Sequence, residues 1–193
     1  MEQTSIAALS TPPGRGGLAV IRISGPQAES VLRSLFIPVK RDVTGFDERK
    51  MMFGKLIHQG KLLDECMAVL FRAPRSYTRE DVAEIHVHAS EQVVSNVLHA
   101  VFSLGAIPAA PGEFTRRAFE NGRLDLSQAE AVMQLIAASG QQAADAALRQ
   151  LQGGALRFVQ AAQAQLISLM AGVTAAIDYP EEIDEAEAVG NIA

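Results

Sequence analysis

Hydrophobic residues in the first part of the chain fall into short runs with the period of β-strands, separated by turn-forming segments. Two of these runs, 5–9 (SIAAL) and 18–24 (LAVIRIS), flank a loop containing Pro-Pro-Gly-Arg-Gly-Gly. Two more, 51–58 and 62–72, are joined by Gln-Gly-Lys, and a fifth, 82–88 (VAEIHVH), alternates from Ala83 onward. The pattern predicts a sheet whose third and fourth strands form a hairpin.

Two segments of the same region instead have the period of a helix. Residues 25–36 place Val31, Leu32 and Leu35 on one face, and the next helix is predicted to begin at Ser90 and to end at Gly105. The apolar stripe of this second helix comprises Val93, Val94, Val97, Leu98, Val101 and Phe102. Strands and helices of this kind predict an α+β domain over residues 1–118.

After a Pro- and Ala-rich connection, the composition shifts to Ala, Gln and Leu, which predicts helices only over residues 119–193. Ser127 and Glu130 match a capping box at the start of one helix. Residues 141–177 could form one long helix with a weak point at Gly153-Gly154, and Pro180 should end it.

Charge and composition argue against several classes of function. The net charge of −5 divides into +2 over residues 1–119 and −7 over 120–193, so no basic face for nucleic acid is visible, least of all in the second half. The chain has neither a signal-peptide pattern nor an uninterrupted apolar run of about 18 residues, which predicts no membrane span. Cys66 is the single cysteine and lies in an apolar run, which favours a buried structural thiol in a reducing compartment.

The glycine-rich loop at residues 12–17 does not have the order of a nucleotide-binding loop. It precedes its strand, whereas a phosphate-binding loop follows one and ends in Gly-Lys-Ser/Thr, a motif absent from these 193 residues. Arg22 then interrupts the apolar strand that follows the loop. A charge at such a position must pair or bind a ligand, and the sequence leaves both possibilities open.

Two further segments contain more charged and polar residues than a buried core requires. Glu84, His86 and His88 share one face if 82–88 is a strand, which raises a metal site as a hypothesis, although hydrogen-bonded histidines are favoured. Asn121-Gly122 is a turn signal that leaves Arg123 beside a helix corner. Taken alone, that pattern indicates a solvent-exposed arginine.

Four stretches occur in order along the chain: residues 6–26 (IAALSTPPGRGGLAVIRISGP), 73–88 (APRSYTREDVAEIHVH), 111–132 (PGEFTRRAFENGRLDLSQAEAV) and 177–183 (IDYPEEI). Together they resemble the N-terminal region of the tRNA-modification GTPases of the MnmE (TrmE) family. The resemblance implies a folate-binding-type domain with a mixed sheet, followed by the first part of a helical domain into which a G domain is inserted. It also implies homodimerisation through the N-terminal domain and a cytoplasmic protein.

In that family the folate, 5-formyl- or 5,10-methylene-tetrahydrofolate, supplies a one-carbon unit for modifying the wobble uridine of tRNA together with the flavoprotein MnmG (GidA). Carried onto this chain, the folate contacts fall on Arg22, Glu84 and Arg123. A carboxylate can accept hydrogen bonds from the adjacent N–H groups of a pterin, so Glu84 is expected to anchor the pterin. The loop Pro12–Gly17 is expected to form one wall of the pocket. No catalytic residue and no metal ligand is implied.

The chain departs from the family pattern in two places. His88 is followed by Ala89-Ser90, where the family usually has a pair of glycines. The chain also stops near the point where the G domain would begin, so GTP, Mg²⁺ and K⁺ would bind only in the domain that is missing here, and we expect no GTP hydrolysis. A free-standing folate-dependent transferase, with an acid or base among Asp81, His86 and His88, and a dimerisation scaffold with a vestigial pocket are the alternatives.

Overall fold

The structure is a computed structural model that describes residues 4–39 and 46–178. It divides into two compact units, Met1–Arg123 and Leu124–Ala193, whereas the composition shift suggested a boundary near residue 118. The strands are β1 (Ile6–Leu9), β2 (Gly16–Ser24), β3 (Phe36–Pro38), β4 (Met52–His58), β5 (Lys61–Phe71), β6 (Val82–Ala89) and β7 (Ile107–Pro108). The helices are α1 (Ala28–Leu35), α2 (Glu91–Ser103), α3 (Glu113–Glu120), α4 (Leu126–Ala137), α5 (Gln141–Leu151) and α6 (Gly154–Asp178).

The first unit is built on a seven-stranded mixed sheet in the order β3-β4-β5-β6-β2-β1-β7. All neighbouring strands are antiparallel except β1 and β7, which are parallel. The register pairs Arg22 of β2 directly with Glu84 of β6 at the centre of the sheet. The predicted α+β class is therefore confirmed, and so is the hairpin between β4 and β5.

The two faces of the central strands have different surroundings. Ile21 and Ile23 of β2 and Ile85 of β6 are fully buried in the core, together with residues of α1 and α2. Because successive side chains of a strand point to opposite faces, Arg22 and Glu84 lie on the face away from that core. The sheet thus presents polar side chains on the face that α1 and α2 leave uncovered.

The sequence missed two edge strands, and the reason is their length. β3 has three residues and β7 has two, and both contain a proline, so neither has enough positions to show an alternating pattern. They form because the neighbouring strands, β4 and β1, offer free hydrogen-bonding groups. The five longer strands and the stripe of α2 match the predicted positions closely.

The predicted helix starts need correction. Ser90 is the N-cap residue of α2, but its side chain makes no capping hydrogen bond. The capping box of α4 is formed by Asp125 and Gln128, two residues before the expected Ser127 and Glu130. Asp125 accepts from the Gln128 backbone N–H at 2.8 Å, and Gln128 Oε1 accepts from the Asp125 N–H at 2.9 Å.

In the second unit, α4 and α5 pack against each other, with Ala131 and Ala147 at their contact. The predicted long helix is divided at Gly153, which has a φ of 75°, so the weak point is a break. Pro180 and the acidic tail lie outside the described residues. Residues Leu156–Ala175 of α6 are long and apolar enough to cross a membrane by length and composition alone, a test that soluble core helices also pass.

Candidate folate site

Arg22 and Glu84 form an ion pair across β2 and β6. Arg22 donates from both Nε and Nη2 to Glu84 Oε1, at 2.8 and 2.7 Å. The two side chains are 25% and 17% exposed, so the pair is mostly shielded while one side stays open to solvent. The directly opposed register explains the contact, because paired residues on neighbouring strands have their side chains side by side.

Tyr77 connects this pair to Arg123. Its ring lies under the guanidinium groups of both Arg22 and Arg123, with centroid distances of 5.4 and 4.7 Å. The Phe114 ring approaches Arg22 from α3 at 5.7 Å. The Tyr77 hydroxyl lies 2.9 Å from Thr115 Oγ1, which fixes the ring at its polar end. Aromatic faces attract cations, so this arrangement holds both arginines in place.

Arg123 is placed by the end of α3. Gly122 has a φ of 69°, its N–H donates to the carbonyl of Phe119, and the Arg123 N–H donates to the carbonyl of Ala118. These two bonds form a Schellman motif, which ends a helix in a left-handed glycine and reverses the chain. The Asn121-Gly122 turn is therefore confirmed, and Arg123 lies over the Tyr77 ring beyond it.

The loop between β5 and β6, which carries Tyr77, is tied down by a buried polar network. Ser24 Oγ lies 2.6 Å from Thr78 Oγ1 and donates to Glu80 Oε2 at 2.6 Å. Arg117 of α3 donates to both carboxylate oxygens of Glu80, at 3.1 and 3.2 Å. The network joins β2, the loop and α3, which are the elements that supply Arg22, Tyr77 and Arg123.

A neighbouring carboxyl completes this network. Glu113 accepts from Arg117 Nη2 at 3.1 Å and from the Ala110 backbone N–H at 2.7 Å. Burial raises the pKa of Glu113, but these two donors outweigh it, so the pKa lies below its usual value.

The loop between β5 and β6 lines a cavity of about 680 Å³. Its lining comprises Arg49, Phe71, Pro74, Arg75, Ser76, Tyr77, Arg79, Val82, Glu84 and Arg123. The volume lies within the range of small-molecule sites. Of the three residues predicted to contact folate, Glu84 and Arg123 line the cavity, and Arg22 lies behind Glu84 as its partner.

The glycine-rich loop lies elsewhere, and here the expectation was wrong. Pro12, Pro13, Gly14 and Arg15 line a second cavity of about 620 Å³ against α2, not the cavity that contains Glu84 and Arg123. The loop precedes β2, whereas Arg22 lies near the other end of that strand. That cavity lies on the α2 side of the sheet, whereas Arg22 and Glu84 lie on the opposite face, so the sheet itself separates the loop from the pair.

The histidines of β6 do not converge on a common point. His86 Nε2 lies 3.5 Å from Glu84 Oε2, whereas His88 is 70% exposed and pairs with Asp64 at 2.8 Å. Among the residues that the structure describes, no three His, Cys, Asp or Glu side chains are grouped as metal ligands. Cys66 is buried, and this burial raises the pKa of its thiol to about 12, as expected of a structural cysteine.

The cavity lining combines a carboxylate, guanidinium groups and an aromatic ring, which are the groups that a flat, polar ligand requires. Glu84 Oε2 accepts no hydrogen bond from Arg22, and both Glu84 and Tyr77 line the cavity. Sequence reasoning did not single out Tyr77, Phe114 or the Glu80–Arg117 pair. The one sequence signal for Tyr77 was its position as an aromatic residue in an otherwise polar loop. The Glu80–Arg117 pair could not be predicted from local sequence, because 37 positions separate its members.

Comparisons with known proteins identify the family of the chain. Residues 5–123 match the family described as "GTP-binding protein TrmE N-terminus", and residues 126–192 match the "MnmE helical domain". The chain is 44% identical over 184 residues to a tRNA modification GTPase MnmE of Natranaerobius thermophilus, covering 94% of this chain and 40% of that relative. It is 44% identical over 190 residues to the same-named protein of Moorella thermoacetica, covering 97% of this chain and 41% of that relative.

A protein of that name in Listeria welshimeri is 43% identical over 187 residues, again covering 97% of this chain and 41% of the relative. The chain thus spans about two fifths of the length of these relatives. Because both family models match in order and together take in nearly all of the chain, it belongs to the MnmE (TrmE) family, of which it carries the N-terminal and helical domains.

Proposed function

We propose that this chain is the tetrahydrofolate-binding and homodimerisation module of a tRNA-modification GTPase. The observation that carries the proposal is the convergence of Arg22, Glu84 and Arg123 around Tyr77. These residues come from β2, β6 and the end of α3, which are far apart in the sequence. A structural ion pair alone does not require a second arginine stacked on the same ring at the lining of a cavity.

The chemistry of the cavity supports a pterin. A pterin edge has a ring N–H beside an exocyclic amino group, and Glu84 Oε2 can accept from that edge while Oε1 stays bound to Arg22. Arg22 therefore holds the carboxylate in a fixed orientation. Arg123 is a forked donor at the cavity lining, suited to a carbonyl or a carboxylate of the ligand.

The bound folate is 5-formyl- or 5,10-methylene-tetrahydrofolate in this proposal. In the whole protein it would serve modification of the wobble uridine of tRNA, with the flavoprotein MnmG as partner, in the cytoplasm. GTP, Mg²⁺ and K⁺ would act in a G domain. Since these 193 residues contain no Gly-Lys-Ser/Thr motif, this chain is not expected to hydrolyse GTP by itself.

The second cavity supports the dimerisation part of the proposal. Its lining is mainly apolar and includes Leu9, Leu98 and Phe102. Leu18, at the same end of β2, is 55% exposed. A surface of this kind favours association. Sedimentation velocity of the chain and of a Leu18→Asp variant checks it, because a monomeric wild-type chain would contradict the proposal.

Calorimetric titration with 5-formyltetrahydrofolate tests the binding part. We expect saturable binding that Arg22→Ala and Glu84→Gln each weaken by about 1.5–3 kcal/mol, the range for losing a charge-assisted hydrogen bond. Arg33→Ala is the matched control, because Arg33 is an arginine on α1, which packs on the other face of the sheet. Circular dichroism establishes that each variant is folded.

The outcomes separate the candidate functions. If the wild-type chain dimerises but does not bind the folate, the hypothesis of a dimerisation scaffold with a vestigial pocket replaces the proposal. If the isolated chain turns over methylene-tetrahydrofolate, the free-standing transferase replaces it. Equal weakening by Arg33→Ala would show that the binding does not involve the Arg22–Glu84 pair.

A further inference from the structure

Three arginines lie at the lining of the candidate folate cavity without a role in holding a pterin: Arg49, Arg75 and Arg79. We propose that this arginine rim binds an anionic extension of the ligand, a tail of γ-linked glutamates, so that the site prefers oligoglutamylated folates to the monoglutamate. The inference rests on the proposed function and assigns a further subsite to the same cavity.

The charges of the rim are only partly compensated. Glu84 is neutralised by Arg22, and Arg49 and Arg75 share a single carboxylate, Glu48, at 3.7 and 3.0 Å. Within residues 4–39 and 46–178, no carboxylate lies within 4 Å of Arg79 or Arg123. The cavity therefore retains three positive charges, counting Arg123, and such an excess attracts an anion.

Two of the rim arginines have an unusual backbone conformation. Arg49 has a φ of 61° and Arg79 a φ of 60°, in the left-handed region that favours glycine. In the described part of the chain, Gln59 of the β4–β5 hairpin is the one other non-glycine residue with a positive φ. Arginine at positions where glycine would fit without strain indicates that the guanidinium groups themselves serve a purpose.

Hydrogen bonds hold these guanidinium groups at the cavity. Arg79 Nη1 donates to the carbonyl of Asn121 at 3.0 Å, on the turn that precedes Arg123. Arg49 Nη2 donates to the carbonyl of Arg75 at 2.7 Å. Each bond occupies one nitrogen of the guanidinium and leaves other N–H groups able to donate to a ligand.

An oligoglutamate tail matches this arrangement in charge and reach. A folate monoglutamate has two carboxylates, and every γ-linked glutamate adds one more. Arginine binds carboxylates through parallel N–H donors, and three uncompensated charges can meet several carboxylates in series. Nucleic-acid phosphates would also attract arginines, but these line a cavity that is continuous with Glu84 and Arg123, which favours an extension of the same ligand.

Calorimetric titration of the 193-residue chain with the mono- and triglutamate forms of 5-formyltetrahydrofolate tests the inference. We expect the triglutamate to bind about tenfold more tightly in 50 mM salt, and the preference to fall in 500 mM salt, since exposed charges are screened. Arg75→Gln and Arg79→Gly should each reduce the preference by about threefold, a change typical of an exposed charge pair. Glycine at position 79 adopts the same φ without strain, so this variant should remain folded.

Lys61→Gln is the matched control, because it removes one positive charge from an exposed residue of the same domain. Lys61 begins β5, whereas Phe71 at the other end of that strand lines the cavity. The ten intervening steps correspond to roughly 33 Å at the usual rise of a strand. We expect the triglutamate preference of this variant to equal that of the wild type.

The results distinguish the failure of this inference from the failure of the proposed function. Equal affinities for the two forms would overturn the rim assignment and leave the folate site standing. Absence of binding by either form would overturn both. If Arg75→Gln and Arg79→Gly instead weakened binding of a tRNA anticodon stem-loop and left the triglutamate preference unchanged, the rim would be a nucleic-acid surface and the inference would be wrong.

Discussion

Arg117 and Glu80 form an ion pair that is nearly removed from solvent, with side chains 11% and 7% exposed. Breaking such a pair by removing one partner leaves a buried charge, which costs about 3–5 kcal/mol. We expect Arg117→Met to lower the free energy of unfolding by that amount, and Glu80→Gln in the same chain to restore part of it. Urea denaturation of the two variants measures both effects.

Arg116 provides the control for this prediction. It belongs to the same helix, is 61% exposed, and pairs at 3.3 Å with Glu113, which is 11% exposed, and at 3.6 Å with Glu120, which is 56% exposed. Arg116→Gln should change the free energy of unfolding by no more than about 0.5 kcal/mol. An equal loss in Arg116→Gln and Arg117→Met would mean that α3 is sensitive to any loss of charge, and that burial of the pair is not the cause.

Glu113 gives this network a dependence on pH. Its pKa is lowered in the folded chain, so its ionised form contributes stability that is fully present above the unfolded value of about 4.5 and is lost as the pH falls through the folded pKa. The difference in unfolding free energy between the wild type and Glu113→Gln should therefore be largest at neutral pH and shrink below pH 4.5. A difference that stays constant down to pH 3 would contradict this assignment.

At the scale of elements, the end of α3 decides where Arg123 lies. Gly122 is in the left-handed region, where a residue with a Cβ is strained by roughly 1–2 kcal/mol. We expect Gly122→Ala to lower the unfolding free energy by about that amount and to weaken folate binding, because the Schellman motif positions Arg123 over Tyr77. Asparagine tolerates this conformation, so Gly122→Asn is the matched variant and should lose less on both measurements.

The capping box of α4 shows the limit of a local pattern. Ser127 with Glu130 and Asp125 with Gln128 both have a capping residue followed three positions later by an acidic or amide side chain. The structure forms the second pair, and Ser127 instead donates to Asp125 at 2.7 Å. Hydrogen bonds from Ser127 and Gln128 also lower the pKa of Asp125. Which of the two pairs forms the capping box depends on the direction from which the preceding residues enter the helix. The four-residue motif carries no information about that direction.

On the scale of the whole molecule, the two units differ in how well their apolar side chains are covered. Large apolar residues of α6 are exposed, among them Phe158 at 77%, Met170 at 69% and Ile177 at 73%. We expect chymotrypsin to cut the helical unit before the α+β unit under limiting conditions, since segments with few buried contacts open most readily. Mass spectrometry of the fragments identifies the sites, and a helical unit as resistant as the α+β unit would contradict this.

Most of the fold could be predicted because its longer elements have enough positions to show a period. The five longer strands, the stripe of α2 and the break at Gly153 follow from local sequence. Edge strands β3 and β7 could not be predicted, since they exist only through pairing with their neighbours. In the candidate site, Arg22, Glu84 and Arg123 were accessible through the family resemblance, whereas Tyr77 was not singled out.

The sequence by itself determined the longer elements, the family and three of the residues that meet at the site, because periodicity, turn residues and long motifs are local properties of the chain. Tertiary structure alone decided that Glu84 faces Arg22, that Tyr77 lies under two guanidinium groups, and that the glycine-rich loop lines a different cavity. The physical reason is strand register and helix placement. These bring together residues separated by tens of positions, and a single sequence has no local signal for such contacts.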